Sequence, residues 1–360
     1  MGRQTFDLVV VGAGLAGLAA TATAVAASGG ARVALVHAGL GTFVYGAGGV
    51  ADLGGVAADH PAVRDFRALV DAAGVPYDGD LGQSQLLPTI LGTLLPVNLA
   101  PRSLWNGRVR SGTRAAVVGI AGLSAFDADF VAERLNRLAC GCCYQARRIE
   151  LPRQDGLPHS VLELANRFDR DPAFRQTLAE QLRRVAADYD VVLIPAILGQ
   201  WSDAGQMAEL ETAVGCPVAE MATLPPSVAG LRLSNRLLAH LRGQGVDIFG
   251  GYPVTALEVE NARCRGVHVA TPGHARHFAA SAVILASGPH SANLLPGWSG
   301  DQDSRRRPLD HQGRFLADNL YLAGALADPE ARHGGNGRAI VGGHGAALAA
   351  FEREDDHATH

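Results

Sequence analysis

The sequence predicts an α/β protein, and three observations carry that expectation. An apolar, β-branched run lies at Phe6-Asp7-Leu8-Val9-Val10-Val11, a glycine-spaced turn follows it at once, and an alanine-rich stretch with helical spacing runs from Leu15 to Ser28. The same strand, turn and helix grammar returns near the end of the chain. With 360 residues, 48% of them hydrophobic, the chain can bury a large core and divides naturally into two domains.

Taken in order, the first strand and helix are followed by Gly29-Gly30 and a second apolar strand, Arg32 to His37, which completes a β-turn-α-β unit. The middle of the chain reads as a second α/β module. It has a strand at Arg114 to Val118, a turn at Gly119-Ile120-Ala121-Gly122, a helix over Ala125 to Ala139, a strand near Ala146 to Leu151, a helix near Pro172 to Ala187 and a strand at Val191 to Ile194. The closing elements are a strand at Ser281 to Ala286 ending in Ser287-Gly288, a strand at Asn319 to Gly324, and a small-residue helix from Arg338 to Phe351 behind Gly334-Gly335-Asn336-Gly337. The expected architecture is a Rossmann-like FAD/NAD(P)-binding domain, discontinuous over residues 1–60 and 240–360, with a second α/β domain inserted at 61–239.

Composition narrows the partners. Lys and Arg number 31 against 35 Asp and Glu, a net charge of -4, so no basic surface offers itself to a phosphate backbone and nucleic acid is not expected. Five cysteines, an odd number without regular spacing, fit a reducing cytoplasm better than a disulfide framework. The apolar run from Leu8 to Val11 is too short for a signal peptide or a membrane span, so membrane contact is expected only peripherally, through a partner.

In Gly12-x-Gly14-x-x-Gly17 the first glycine permits the sharp turn, the second lets a diphosphate approach the backbone, and the third lets helix and strand pack closely. Phosphate charge then meets the free amides and the positive end of the helix dipole. The expected contacts here are Gly12, Ala13, Gly14, Leu15, Ala16 and Gly17. The second strand ends His37-Ala38-Gly39, without the carboxylate that usually takes the adenosine ribose. His37 therefore stands either as a cofactor contact or as a surface residue at the strand end. The pattern at Ala286, Ser287 and Gly288, then Gly324 and Ala325, then Gly335 and Asn336 at a helix start, points to flavin rather than nicotinamide. A second glycine cluster with Gly46 and Gly48 beside Tyr45, continued at Gly54-Gly55, is either a flavin-facing loop or a set of tight turns.

These motifs and Thr223-Leu224-Pro225-Pro226-Ser227-Val228-Ala229-Gly230-Leu231-Arg232-Leu233-Ser234-Asn235 resemble the B-type flavin subunits of the anaerobic glycerol-3-phosphate dehydrogenases, whose hallmark is TLPPSVxGxRLxN. Val117 to Leu123, Leu193-Ile194-Pro195-Ala196 and Arg102-Ser103-Leu104-Trp105 resemble the same family in the same order. The resemblance implies a flavin-dependent oxidoreductase: an electron-transfer subunit that works with two others of the same complex, one catalytic, the other an iron–sulfur, membrane-anchoring subunit. It implies electrons passing from glycerol 3-phosphate oxidation to dihydroxyacetone phosphate toward the quinone pool, at the cytoplasmic face of the inner membrane. It favours FMN, whereas the glycine motif favours FAD. The rival readings are a self-sufficient FAD-dependent oxidoreductase with a small substrate of its own, and a scaffold that has lost its flavin.

Within the hallmark, Pro225-Pro226 stiffens the approach to a helix, Ser227 caps it, and Arg232 and Asn235 share a face. Arg232 reads as a cation for a flavin or substrate phosphate, or as a salt bridge locking the two domains together. Cys140-x-Cys142-Cys143 lacks the spacing of an iron–sulfur site, and no metal site is expected. His290, His333 and His344 are candidates to steady charge or move a proton beside the flavin, or simply satisfied structural histidines. No catalytic acid/base pair is visible.

Overall fold

The computed structural model describes residues 4–51, 57, 59–153, 156–222, 227–272, 274–328 and 335–352. Two compact units divide the chain: one from Met1–Gly41, Asp52–Leu69 and Leu237–His360, the other from Thr42–Ala51 and Val70–Arg236.

The first unit is built on a seven-stranded sheet in the order Asp247–Gly250, Val33–Leu40, Gln4–Ala13, His274–Leu285, Arg263–Thr271, Val254–Glu260, with Leu320–Leu322 also on His274–Leu285. The first strand is parallel to both its neighbours, and its apolar centre is buried on both faces, as such central parallel strands commonly are: Leu8, Val9 and Val10 are 0% exposed. The strand His274–Leu285 is longer than its apolar core predicts, because its first half does a different task. Residues 274–279 pair antiparallel with Arg263–Thr271, and Val283 to Leu285 pair parallel with Leu320 to Leu322. Where the sheet forks, buried Asn319 closes the gap, accepting from the Cys264 amide (2.8 Å) and donating to the Cys264 (2.8 Å) and Ser281 (2.6 Å) carbonyls. A buried fork would otherwise leave backbone groups unpaired.

Two helices pack together in this unit, Leu15–Ala27 and Asn336–Phe351. Their contact is made of small residues. A Cβ at Gly343 would lie 2.0 Å from the Ala16 carbonyl oxygen, and one at Gly324 would lie 2.9 Å from Ala16 Cβ. Only glycine allows so close a crossing.

The second unit carries a four-stranded, all-parallel sheet, Val218–Met221, Val191–Pro195, Arg114–Ile120, Cys143–Ile149. Its helices include Ala128–Arg137, Val161–Arg170, Pro172–Ala186 and Ala204–Val214. Asp127, Ser160, Asp171 and Asp203 each accept from the first-turn amides of the helix that follows, which fixes where the chain turns from loop to helix. Val117, Leu193, Phe168, Phe174 and Leu178 meet in one core. Among the described residues no helix is long and apolar enough to cross a membrane.

Candidate functional site: a glycine cradle at the strand ends

The candidate site lies in the first unit, where the first strand and His274–Leu285 end side by side in parallel. In open α/β sheets this is where a crevice opens, because successive crossovers leave in opposite directions. Gly12 has φ +111°, and a Cβ there would lie 2.4 Å from the Ala286 carbonyl oxygen and 2.8 Å from Ser287 Cα. A Cβ at Gly17 would lie 1.8 Å from the Gly12 carbonyl oxygen. Both glycines are demanded by the fold itself. Gly14 is different: it has an ordinary extended conformation (φ -73°, ψ 172°), and nothing among the described residues lies within 4 Å of the place its Cβ would take. Fold packing gives no reason for glycine there, whereas close approach of an anion does.

Gly14 starts the first helix without a side-chain cap, and the first helical hydrogen bond runs from Leu18 N to Gly14 O at 2.9 Å. The amides of Leu15, Ala16 and Gly17 therefore point out of the helix end with its positive dipole. Across from them stand Ser287 and Gly288, the latter at φ +80° with open space beside it. Ser287 Oγ is buried yet has no hydrogen-bond partner among the described residues. Leaving such a hydroxyl unsatisfied costs about 1–3 kcal/mol, which a polar ligand in the crevice would recover. Open cradle, free amides and orphaned hydroxyl together fit the diphosphate of a dinucleotide; Ala13 lines the turn between them.

Beyond the cradle, Gly324 (φ +67°) and Ala325 sit in a short 3-10 turn after Leu320–Leu322, and Gly335 and Asn336 begin the last helix. Arg306, which no motif flags, lies beside that last helix, further along it. It holds a left-handed backbone (φ +67°), and its guanidinium lies against the glycine face of the last helix, Nε 3.1 Å from the Cβ position of Gly345 and Nη1 3.7 Å from that of Gly342. Burial pulls its pKa down, with Asp328 opposing, and among the described residues the guanidinium has no hydrogen-bond partner. A half-buried cation with no hydrogen bond among the described residues, and only the field of Asp328 to oppose its burial, suits an anionic ligand.

Other candidates are placed differently. His37 is buried at 9% exposure, not at the surface: its Nδ1 is 2.9 Å from Gly39 O, and its ring fills the space a Gly250 side chain would need. Burial lowers its pKa first, Arg242 adds to the lowering, and the Gly39 contact opposes both, so the neutral ring is favoured. His344 Nε2 is 3.1 Å from Asp65 Oδ2, so that ring already has a carboxylate partner. His333 and Gly334, Gly54-Gly55 and Thr223-Leu224-Pro225-Pro226 lie outside the described residues, as does the side chain of His290.

Arg232 corrects both sequence readings of it. It is 2% exposed; Nη1 and Nη2 clasp Glu220 at 2.7 and 2.9 Å, Nε donates to Gly199 O at 2.8 Å, and Nη1 also reaches Ser103 Oγ at 3.3 Å. Every nitrogen of this buried fork already donates to a protein oxygen, and every partner belongs to the second unit, so it locks that unit internally. Ser227 does cap its helix, accepting from Gly230 N at 3.2 Å, and Asn235 donates to Gln200 O at 3.2 Å. Gly46 and Gly48 also lie in the second unit, where packing accounts for Gly48: Tyr77 Oη donates to its carbonyl at 2.8 Å and would sit 2.8 Å from a Cβ. Tyr45 is 59% exposed. Cys140, Cys142 and Cys143 are free thiols; Cys142 donates to Arg110 O at 3.0 Å, and none joins a metal-ready group among the described residues.

An α/β sheet with an anion cradle at its strand ends defines a dinucleotide-holding protein. The chain matches the FAD binding domain family over residues 54–249 and 235–301, most of its length, and it belongs to that family. The matched spans begin after the glycine turn, so the cradle stands as a separate observation. The chain is 28% identical to a Halobacterium salinarum protein named as the B subunit of a probable anaerobic glycerol-3-phosphate dehydrogenase, over 97% of this chain and 99% of that one. It is also 28% identical to the B subunit of the Yersinia pseudotuberculosis anaerobic glycerol-3-phosphate dehydrogenase, over 81% and 76%. Among solved structures, Thermovibrio ammonificans THI4 aligns over 96% of this chain and 88% of that one at 10% identity and a TM-score of 0.39, too loose to carry an argument. Family and relatives support a flavin-dependent oxidoreductase, and of the two flavins the family supports FAD over FMN.

Proposed function

We propose that this chain is the flavin-carrying subunit of an anaerobic glycerol-3-phosphate dehydrogenase, taking up reducing equivalents released when a catalytic partner oxidises glycerol 3-phosphate and passing them toward quinone. The open face at Gly14, with the free first-turn amides behind it and the orphaned Ser287 hydroxyl opposite, carries the flavin part of the reading. The relatives' names support the substrate and a multi-subunit setting, and the resemblance at Thr223 to Asn235 suggests a catalytic and an iron–sulfur polypeptide as the partners. In this reading Gly12 to Gly17, Ala286 to Gly288 and Ser287 Oγ hold the FAD diphosphate, while Gly324, Ala325, Gly335 and Asn336 flank the ring. When bound, the flavin accepts and releases electrons. Arg306 then balances negative charge beside the last helix, and the glycine contacts of Ala16 with Gly324 and Gly343 keep the cradle from shifting as that charge changes. The cradle is lined by backbone, small side chains and one hydroxyl, with no titratable acid/base pair in it among the described residues, which supports relay over independent substrate chemistry.

The test is the purified protein's visible spectrum, chromatography of its acid-released cofactor, and its reduction by glycerol 3-phosphate with and without the catalytic partner. Relay predicts a yellow protein releasing FAD and bleaching only when that partner is present. Bleaching by glycerol 3-phosphate alone refutes relay. A colourless protein that cannot be reconstituted with FAD refutes the flavin assignment altogether.

A further inference from the structure

The first unit holds a second constellation of chemistry-bearing side chains, on the antiparallel part of its sheet. Glu258 lies on Val254–Glu260, His268 on Arg263–Thr271 and His277 on His274–Leu285, three strands adjacent in that order. His268 and His277 are direct cross-strand partners, their ring centroids 5.0 Å apart. Glu258 pairs with Gly266, two residues before His268, and its carboxylate reaches diagonally to His277 Nε2. One ligand atom from each of the three falls within 4.8 Å of the others. Among the described residues no other group of three His, Cys, Asp or Glu side chains converges in this way.

Local structure keeps this cluster open. Gly266, with φ +156°, sits beneath it; a Cβ there would lie 2.7 Å from His277 Nε2 and 2.2 Å from the Phe278 carbonyl oxygen. Glycine in mid-strand weakens a sheet and marks close approach; here it clears the path by which the His277 ring meets Glu258. The partners Val267 and Val269 face the core, so His268 between them faces the other way. Cys264, the nearest thiol along the strand, is packed in that core and donates to Gly266 O, outside the ligand set. The side chains of His277 and Glu258 remain 21% and 30% exposed, although His277 Nε2 itself is covered, so an ion reaches it only as the side chains shift.

Two imidazoles and one carboxylate are the ligand set of a borderline divalent cation such as Zn2+, which binds nitrogen and oxygen at about 2.0–2.2 Å, so neighbouring donors sit roughly 3.4 Å apart. Donors already within 4.8 Å of one another, on three hydrogen-bonded strands, stand near that spacing before any ion binds. Hard cations prefer all-oxygen cages, and soft ones thiolates. We propose that Glu258, His268 and His277 form a three-ligand site for a Zn2+-like divalent cation, its remaining position open to water or to a donor from another molecule. Ten residues of strand separate His277 from Ser287, roughly 30 Å, so this site is distinct from the cradle.

The experiment uses the full chain, stripped with chelator and titrated with Zn2+ by calorimetry and with Co2+ by visible spectroscopy. One equivalent should bind, giving cobalt d–d bands without a thiolate charge-transfer band. His268→Ala and His277→Gln should each weaken binding by more than the roughly 10–100-fold that loss of an outer-shell partner costs, with circular dichroism and FAD content unchanged. His268→Gln guards against an unfolded alanine variant. Binding that survives in folded His268→Gln and His277→Gln, a cobalt spectrum showing thiolate ligation alone, or no binding to the intact chain each overturns the site.

Discussion

Gly14→Ala separates the cradle from mere glycine packing. At Gly14 the backbone (φ -73°, ψ 172°) suits alanine, and the added methyl meets nothing within 4 Å among the described residues. Reduced chain entropy in the unfolded state favours alanine by about 0.4–1 kcal/mol, and alanine's poorer performance at a helix start offsets part of that. The apo-protein's stability should therefore change by less than about 1 kcal/mol. The methyl would occupy the face through which the diphosphate approaches, and displacing one charged oxygen from one amide forfeits a hydrogen bond of about 1.5–3 kcal/mol. At about 1.4 kcal/mol per decade, FAD affinity should fall roughly 10- to 150-fold. Fluorescence titration of apo-protein with FAD, beside urea unfolding of the same samples, measures both quantities. Gly17→Ala is the contrast, since its methyl would fall 1.8 Å from the Gly12 carbonyl oxygen and disrupt the turn itself. If Gly14→Ala binds FAD as wild type does, or unfolds as Gly17→Ala does, the assignment of Gly14 as the anion's approach is wrong.

Arg306→Met should lower FAD affinity while leaving apo stability equal or improved, because it removes a half-buried cation that has no hydrogen-bond partner among the described residues; unchanged affinity would take Arg306 out of the site. Arg232→Met should cost about 3–5 kcal/mol in urea unfolding by stranding buried Glu220, and Arg232→Met with Glu220→Gln should recover much of it, since glutamine still accepts from Leu198 N. His37 has its folded pKa below the ordinary value of 6.5, so the unfolded chain takes up the proton first. Its contribution is complete above about pH 6.5 and is lost as pH falls toward the folded pKa, with a slope of at most about 1.4 kcal/mol per pH unit that His37→Gln should remove. Burial pushes the Cys264 thiol up to about 11, so alkylation near neutral pH followed by peptide mass mapping should label exposed Cys143 early and Cys264 only on unfolding.

Some of this was legible in the linear chain because local patterns dictate it. Apolar runs of strand length at 6–11, 114–118 and 191–194, and the glycine spacing at 12, 14 and 17, depend on neighbours in sequence, and the structure places strands and a helix start there. The helices Val161–Arg170 and Ala204–Val214 escaped, although Ser160 and Asp203 marked their starts: the first is a short ten-residue helix, and the second buries only Leu210 and Val214, too sparse a stripe for a period to stand out. The strands Arg263–Thr271 and Val254–Glu260 escaped because polar, half-exposed strands lack a continuous apolar run.

What the sequence by itself determined is a chain able to present bare helix amides to an anion, since three glycines within six positions already encode a turn that no side chain obstructs. Only the tertiary structure decided which of those glycines serve packing and which stays open, that Arg232 is consumed by Glu220, that Arg306 stands beside the last helix, and that Glu258, His268 and His277 meet. Each of those outcomes joins residues brought together by sheet pairing or helix crossing, and long-range pairing follows from the whole core's burial rather than from any local period.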